Sequence, residues 1–369
     1  MKPIGLYLHI PFCLSKCPYC DFYSFTPDEH TMDAYTDALC AALPRWQEKI
    51  GCLADTLYLG GGTPSLLGPK RLEKLVTAAR KSFGLTNAEI TLEANPADRL
   101  YDTFAAFASA GGNRVSMGLQ AGSDRALQAL GRRHDLHDAE VACRDVFAAG
   151  IRRLSLDLML ATEGQTPADV RDTVATIDAL GAGHASAYLL KIEPNTPFAA
   201  RDLRLPDEDA AADLYLTAVE ALADRGFTQY EISNFARDGE HSRHNLKYWN
   251  SEPYLGIGPA AHSFIDGRRF AYPRDIRAFL RGDEPLPEAE NTAYLPENSA
   301  EEYALLRLRL TEGLTESGFA ARFGSPIPTL WRQRAAKLPP SLVISDAEGM
   351  RLTPQGFLVS NAIFAQLFP

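Results

Sequence analysis

Short β-branched or aliphatic runs recur along the first two-thirds of the chain, each followed by a longer alanine-rich stretch of helical period. The runs lie at 5–10, 56–60, 89–94, 114–119, 153–160 and 185–192, with a weaker seventh candidate at 229–234. Helical segments at 31–48, 69–83, 99–110, 137–149, 167–180 and 207–225 separate them. Several close on glycine, as at Gly111, Gly150, Gly181 and Gly226. Strand and helix in alternation are the signature of βα units around a parallel sheet. Six units predict an α/β fold, a partial (β/α)6 TIM-like barrel over residues 1–236, short of a closed ring of eight.

Beyond residue 237 the period changes. The segment His244-Asn-Leu-Lys-Tyr-Trp249 and the glycine-rich run from Tyr254 to His262 are expected to close the barrel, and 283–290, dense in proline and acids, reads as a linker. The middle unit is thus 237–290. From 291 to the C-terminus, a helix at 299–310, two shorter helices, a hairpin at 343–353 and a final helix predict a small, mostly helical, winged-helix-like domain.

Composition narrows the function classes. With 369 residues, 46% hydrophobic and 23% charged, the chain can bury a sizeable core. Its formal charge of −10 argues against a broad nucleic-acid-binding face and for a packing or lid role of the C-terminal domain. Pro11 arrives too early for a signal-peptide core, and no apolar run is long enough to span a membrane. Six cysteines, three of them clustered, fit a reducing cytoplasm and a metal centre better than a disulfide framework, and Cys40, Cys52 and Cys143 read as core residues.

In a parallel barrel the chemistry gathers at the C-terminal ends of the strands. Cys13, Cys17 and Cys20 follow the first strand, Gly60-Gly-Gly-Thr63 the second, Glu93-Ala-Asn95-Pro96 the third and Gln120 the fourth, while Asp157 lies late in the fifth. Three thiolates at this spacing suit three corners of an iron–sulfur cube, leaving its fourth iron open to a small molecule. Zinc would want a fourth Cys or His at matched spacing, and none lies nearby. The glycine turn lacks both the P-loop ending and the dinucleotide fingerprint. It does expose main-chain polar groups that can hold an amino-acid-like head group.

Together these motifs resemble the radical S-adenosylmethionine superfamily, in its coproporphyrinogen oxidase-like branch, over nearly the full length. In that family the unique iron chelates the methionine amino and carboxylate groups, and the reduced cluster cleaves the sulfonium to a 5′-deoxyadenosyl radical. The resemblance implies that Cys13, Cys17 and Cys20 ligate a [4Fe–4S] cluster. It further implies that Tyr7 and Tyr19 flank the nucleoside, that the backbone of Gly61, Gly62 and Thr63 receives the methionine amino end, and that Glu93 binds near the ribose. Gln120, Arg132 and Asp157 complete that shell.

Two features separate subfamilies. Enzymes resembling the oxygen-independent coproporphyrinogen III oxidase of porphyrin biosynthesis carry a further cysteine two residues after the third, where this chain has Phe22. The Cys-Asp-Phe ending and His244-Asn-Leu-Lys-Tyr-Trp249 instead resemble the HemW-type heme chaperone family. That likeness implies heme as a ligand of His244, with Tyr248 and Trp249 packed on the macrocycle. It also implies heme-accepting apoproteins as partners, with transient contact to membrane-associated heme proteins among them. Departures at Leu160-Ala-Thr-Glu163, Ala121-Gly122 and Lys191 fall at strand ends and are expected to alter the lining of the substrate side. The oxidase is the alternative reading.

Overall fold

Six strands pair in parallel in chain order: β1 (Ile4–Ile10), β2 (Ala54–Gly61), β3 (Gly84–Ala94), β4 (Arg114–Gln120), β5 (Arg153–Leu160) and β6 (His184–Leu189). Between them run α1 (Glu29–Ile50), α2 (Gly68–Phe83), α3 (Tyr101–Ser109), α4 (Asp124–Ala129), α5 (Leu136–Ala148) and α6 (Pro167–Ala179), and α7 (Glu208–Ala223) follows β6. The structure, a computed structural model, describes residues 2–96, 100–287 and 299–368. Residue 99 of the expected third helix, the end of the 283–290 linker and the 290/291 boundary lie outside the described residues.

Period-two alternation sorts the strand side chains to two faces. Leu6, Leu8, Leu57, Leu59, Ile90, Leu92, Val115, Met117, Leu154 and Leu156 are fully buried with the apolar faces of the helices, each contributing about 1.5–3 kcal/mol of burial. The other face is polar. Register aligns Tyr7 with Tyr58 and Thr91, and Glu93 with Ser116 and Ser155. One step along, Asp157 aligns with Ser186, and Ser186 with Asn234. A row of titratable and hydroxyl groups thus lines the inner face.

The edges correct two expectations. Residues 229–234 are no seventh parallel strand: β7 (Thr228–Gln229) and β8 (Asn234–Ala236) form an antiparallel pair, with β8 antiparallel to β6. The chain reverses between them, where Ser233 donates its N–H to the Glu231 carboxylate at 3.0 Å. Nor does the segment after 237 close the barrel. After α8 (Arg243–Trp249), β9 (Tyr254–Ile257) pairs parallel to β1 and the chain turns back into β10 (His262–Ile265) and β11 (Arg268–Ala271). α9 (Ile276–Arg281) and β12 (Leu286–Pro287) follow, and among the described residues the sheet has twelve strands and stays open, ending at β12 and β7. Gly258 at φ +114° makes the reversal, and a Cβ on Gly256 would stand 2.2 Å from the His262 carbonyl oxygen.

The C-terminal part comprises α10 (Ala300–Arg307), β13 (Leu314–Thr315), α11 (Glu316–Phe323), α12 (Thr329–Ala335), β14 (Val343–Ser345), β15 (Gly349–Leu352), α13 (Pro354–Leu358) and α14 (Ser360–Leu367). Its three-stranded antiparallel sheet covers a separate core that includes Phe319, Trp331, Met350 and Phe364. This is the order of a winged-helix-like unit, with the final helix split in two. Among the described residues no helix is long and apolar enough to cross a membrane.

Candidate functional site

The cysteine loop leaves β1 under tight restraint. Phe12 is fully buried and packs edge-on against Phe25 and Tyr35, while Cys13 donates its N–H to the Phe25 carbonyl at 3.0 Å. A turn closed by Cys20 N–H on the Cys17 carbonyl (3.1 Å) follows. All six cysteines are free, and Cys13, Cys17 and Cys20 are each partly accessible. Three thiols on one loop, each able to take a different iron, suit the corners of a cube.

The glycine turn stands against this loop. Gly62 donates to the Ile10 carbonyl (2.9 Å) and Thr63 to the Phe12 carbonyl (2.7 Å), so β2 holds the start of the cysteine loop through main-chain bonds. Gly61 donates to Glu93 Oε2 at 2.9 Å, and the Tyr58 hydroxyl donates to Glu93 Oε1 at 2.8 Å. At Gly60 a side chain would meet Tyr58, Tyr7 and Glu93 within 2.8–3.1 Å, which keeps the cradle bare. Burial pushes the Glu93 carboxyl above the usual carboxylate range.

A second chain of contacts runs to Arg132. Its Nη2 donates to Asn95 Oδ1 at 2.6 Å and to the Gly118 carbonyl at 2.9 Å. Its Nη1 donates to Cys17 Sγ at 3.3 Å and Tyr19 Oη at 3.4 Å. Asn95 in turn donates to Thr63 Oγ1 at 2.8 Å. Gln120 sits at φ +74° with its Oε1 buried and without a partner, and burial raises Asp157 to about 7. An orphaned acceptor on Gln120 and the Asp157 carboxyl beside Ser186, at one rim with a bare glycine cradle, fit a ligand that brings hydroxyl and ammonium donors.

Tyr7, Gly61 and Glu93 also border a much larger space. A cavity of about 820 Å3 opens between the end of β1 and the β9–β11 meander, lined further by His9, Phe22, Tyr248 and His262. Ala121, Gly122, Lys191 and 160–163 are not among its lining residues. Gly122 instead packs on α6, donating to Thr173 Oγ1 at 2.9 Å, where a Cβ would strike the Thr173 backbone. Trp249 also lies outside the lining, whereas Tyr248 is in it.

His244 departs from the iron-ligand expectation. Its ring is 1% exposed, between Thr56 Oγ1 on Nδ1 and Tyr248 Oη on Nε2, both at 2.7 Å, and it stacks on Tyr58. Its N–H donates to the buried Glu89 carboxylate at 2.9 Å. Burial lowers its pKa to about 3, so the ring is neutral. Reaching an iron would mean surrendering one of two buried hydrogen bonds.

Two participants escaped the sequence reading, and Asn95 was named there only as part of the 93–96 strand end. Tyr58 carried a signal in its position opposite Tyr7. Glu89, which anchors α8, looked like an ordinary strand-end charge.

Comparison with known proteins places this geometry in a family setting. The Radical SAM superfamily profile matches residues 7–177, and the HemN C-terminal domain profile matches 294–359. A heme chaperone HemW of Mycobacterium tuberculosis (strain H37Rv) is 37% identical over 380 residues, covering 99% of this chain and 95% of its own. The Escherichia coli K12 heme chaperone HemW is 34% identical over 373 residues, covering 98% and 97%. Among solved structures, coproporphyrinogen III oxidase (HemN) from Escherichia coli superposes with a TM-score of 0.81 at 22% identity. That match covers 99% of this chain and 90% of that one, a likeness of fold.

Proposed function

Because the chain belongs to the HemW heme chaperone family within the radical SAM superfamily, we propose that it is a heme chaperone. On this reading it binds heme, a [4Fe–4S] cluster and S-adenosylmethionine, and passes heme to acceptor apoproteins, membrane-associated ones among them. Six free cysteines support a reducing, cytoplasmic setting.

Cys13, Cys17 and Cys20 would hold the cluster, which supplies one-electron reducing power beside a sulfonium. The remaining roles belong to the chain. The methionine ammonium, a donor, is met by carbonyl oxygens of the Gly61–Thr63 turn, since the N–H groups there are already committed. Arg132, fixed by Asn95 and the Gly118 carbonyl, presents its guanidinium to a carboxylate beside Cys17. Gln120 Oε1 and Asp157 accept ribose hydroxyls, with Glu93 fixed by Tyr58 and Gly61. Tyr7 and Tyr19 flank the nucleoside. His244 serves heme by holding Tyr248 in the cavity wall.

The observation that carries the heme reading is the aromatic-lined cavity opening beside the cysteine loop, with Phe22 on its border. At about 820 Å3 it lies within the ~300–1,000 Å3 range of ligand pockets. Anaerobically reconstituted protein titrated with heme is expected to give a saturable Soret shift and to lose it to an added apo-hemoprotein. Conversion of coproporphyrinogen under the same conditions would favour the oxidase.

A further inference from the structure

Asn95 stands just past β3, between two residues that reach different cysteines. Its Oδ1 accepts from Arg132 Nη2 at 2.6 Å and its Nδ2 donates to Thr63 Oγ1 at 2.8 Å. An arginine carries donors only, so the amide atom facing Arg132 is the oxygen and the nitrogen faces Thr63.

That orientation decides where the Thr63 proton goes. The hydroxyl belongs to a residue 4% exposed and already accepts from Asn95, which leaves its own hydrogen for another acceptor. Cys13 Sγ lies 3.6 Å away. In a free thiol either atom could donate, but a cysteine bound to iron is a thiolate with no proton left, so there the hydroxyl donates. On the other side, Arg132 is held by Asn95 and by the Gly118 carbonyl at 2.9 Å, which sets Nη1 3.3 Å from Cys17 Sγ. Cys20 depends on neither, since it takes the backbone N–H of Phe22. One amide thus aims a hydroxyl at one cluster ligand and a guanidinium at another.

Donors on a ligand sulfur draw electron density from it. Reduction adds negative charge, so the reduced state gains more from them and the potential rises. We propose that Asn95 is a positioning residue that holds up the reduction potential of the cluster by directing Thr63 onto Cys13 and Arg132 onto Cys17. The inference rests on the cluster reading above and is independent of where heme sits. A raised potential makes the reduced cluster a weaker one-electron donor.

The test is a redox titration of anaerobically reconstituted protein without S-adenosylmethionine, read by electron paramagnetic resonance of the reduced cluster, with iron and sulfide per chain measured alongside. Native chain, Asn95→Ala, Thr63→Val and the double variant are compared, Thr63→Val keeping the side-chain shape while losing the hydroxyl. Asn95→Ala is expected to disfavour reduction about tenfold, which for one electron is about 59 mV downward, at native cluster content. Thr63→Val should shift the potential the same way by less, and the double variant by less than the sum of the two, because Asn95 acts partly through Thr63. A native potential in cluster-bearing Asn95→Ala, or strictly additive shifts, would overturn the assignment and leave the cluster reading standing. If Asn95→Ala holds no cluster, a native potential in Thr63→Val overturns it instead, and cluster loss in both variants does so by making the contacts structural. No cluster in the native protein would overturn the cluster reading as well.

Discussion

Replacing Gly62 by alanine should loosen the cysteine loop without unfolding the chain. The added Cβ would lie 2.5 Å from the Phe12 carbonyl oxygen, 2.9 Å from the Phe12 nitrogen and 3.0 Å from the Ile10 carbonyl oxygen, whereas ordinary contact begins at 3.4 Å. All three neighbours are backbone atoms in a well-packed core, so the turn and the loop must separate by roughly 1 Å. That movement stretches the Gly62–Ile10 and Thr63–Phe12 hydrogen bonds, now 2.9 and 2.7 Å. Overpacking at ~1–3 kcal/mol, with ~1 kcal/mol for each of the two weakened bonds, gives a loss of about 3–5 kcal/mol. A domain with ~5–15 kcal/mol in hand stays folded. The loop that follows Phe12 carries Cys13, and a displacement of this size costs about 100-fold where reacting groups must be held in register. The assay is iron and sulfide per chain after reconstitution, S-adenosylmethionine affinity by calorimetry, and a urea midpoint. Native cluster content and affinity in Gly62→Ala would refute the reasoning.

Three further outcomes follow from the interior charges. Glu89 is 1% exposed and accepts from Arg153, from the Arg243 N–H and from the His244 N–H. Glu89→Gln should therefore cost about 3–5 kcal/mol in urea titrations. Burial alone would raise the Glu89 carboxyl, but Arg114, the two N–H donors and Arg153 hold it below the usual range. Its contribution is present above the unfolded-state value and lost as pH falls through the folded one. Asp157 has the opposite sign: with a folded value of about 7 against ~3.9 unfolded, the native state holds the extra proton between them. Stability of ligand-free protein should fall as pH rises across that window, and Asp157→Asn should flatten the profile. Arg132→Lys should weaken S-adenosylmethionine binding about tenfold or more in equilibrium dialysis, because an ammonium cannot reproduce the fork that reaches Cys17, Tyr19, Asn95 and the Gly118 carbonyl at once.

The six parallel strands were legible because each has a continuous apolar side, from Leu6 and Leu8 on β1 to Leu154 and Leu156 on β5, and that signal outlasts local noise. The edges were not. β8 has three residues and β9 four, too few for a period, and their pairing depends on where Gly256 and Gly258 let the chain reverse. Glu93 and Gly61 meet in one hydrogen-bonded group and Cys17, Tyr19, Thr63 and Arg132 in another because they sit at strand ends, a rule of spacing, whereas the buried Gln120 Oε1 meets no partner. The surroundings of His244 obey no such rule. Its seven-residue helix is short, and partners from Thr56 to Glu89 come from strands more than 150 residues earlier, so the same motif reads as an exposed ligand until the fold buries it. The cavity is likewise assembled from β1, the cysteine loop and β9–β11, and no local pattern announces it.

Hand-over of bound heme tests the account most directly. Protein with its cluster reconstituted and one heme loaded is mixed, under reducing anaerobic conditions, with an apo-hemoprotein, and the two are separated and their Soret spectra recorded. The account predicts that heme moves to the acceptor and that added coproporphyrinogen is recovered unchanged. Heme that never binds or never leaves, or decarboxylated porphyrin in the mixture, would contradict it.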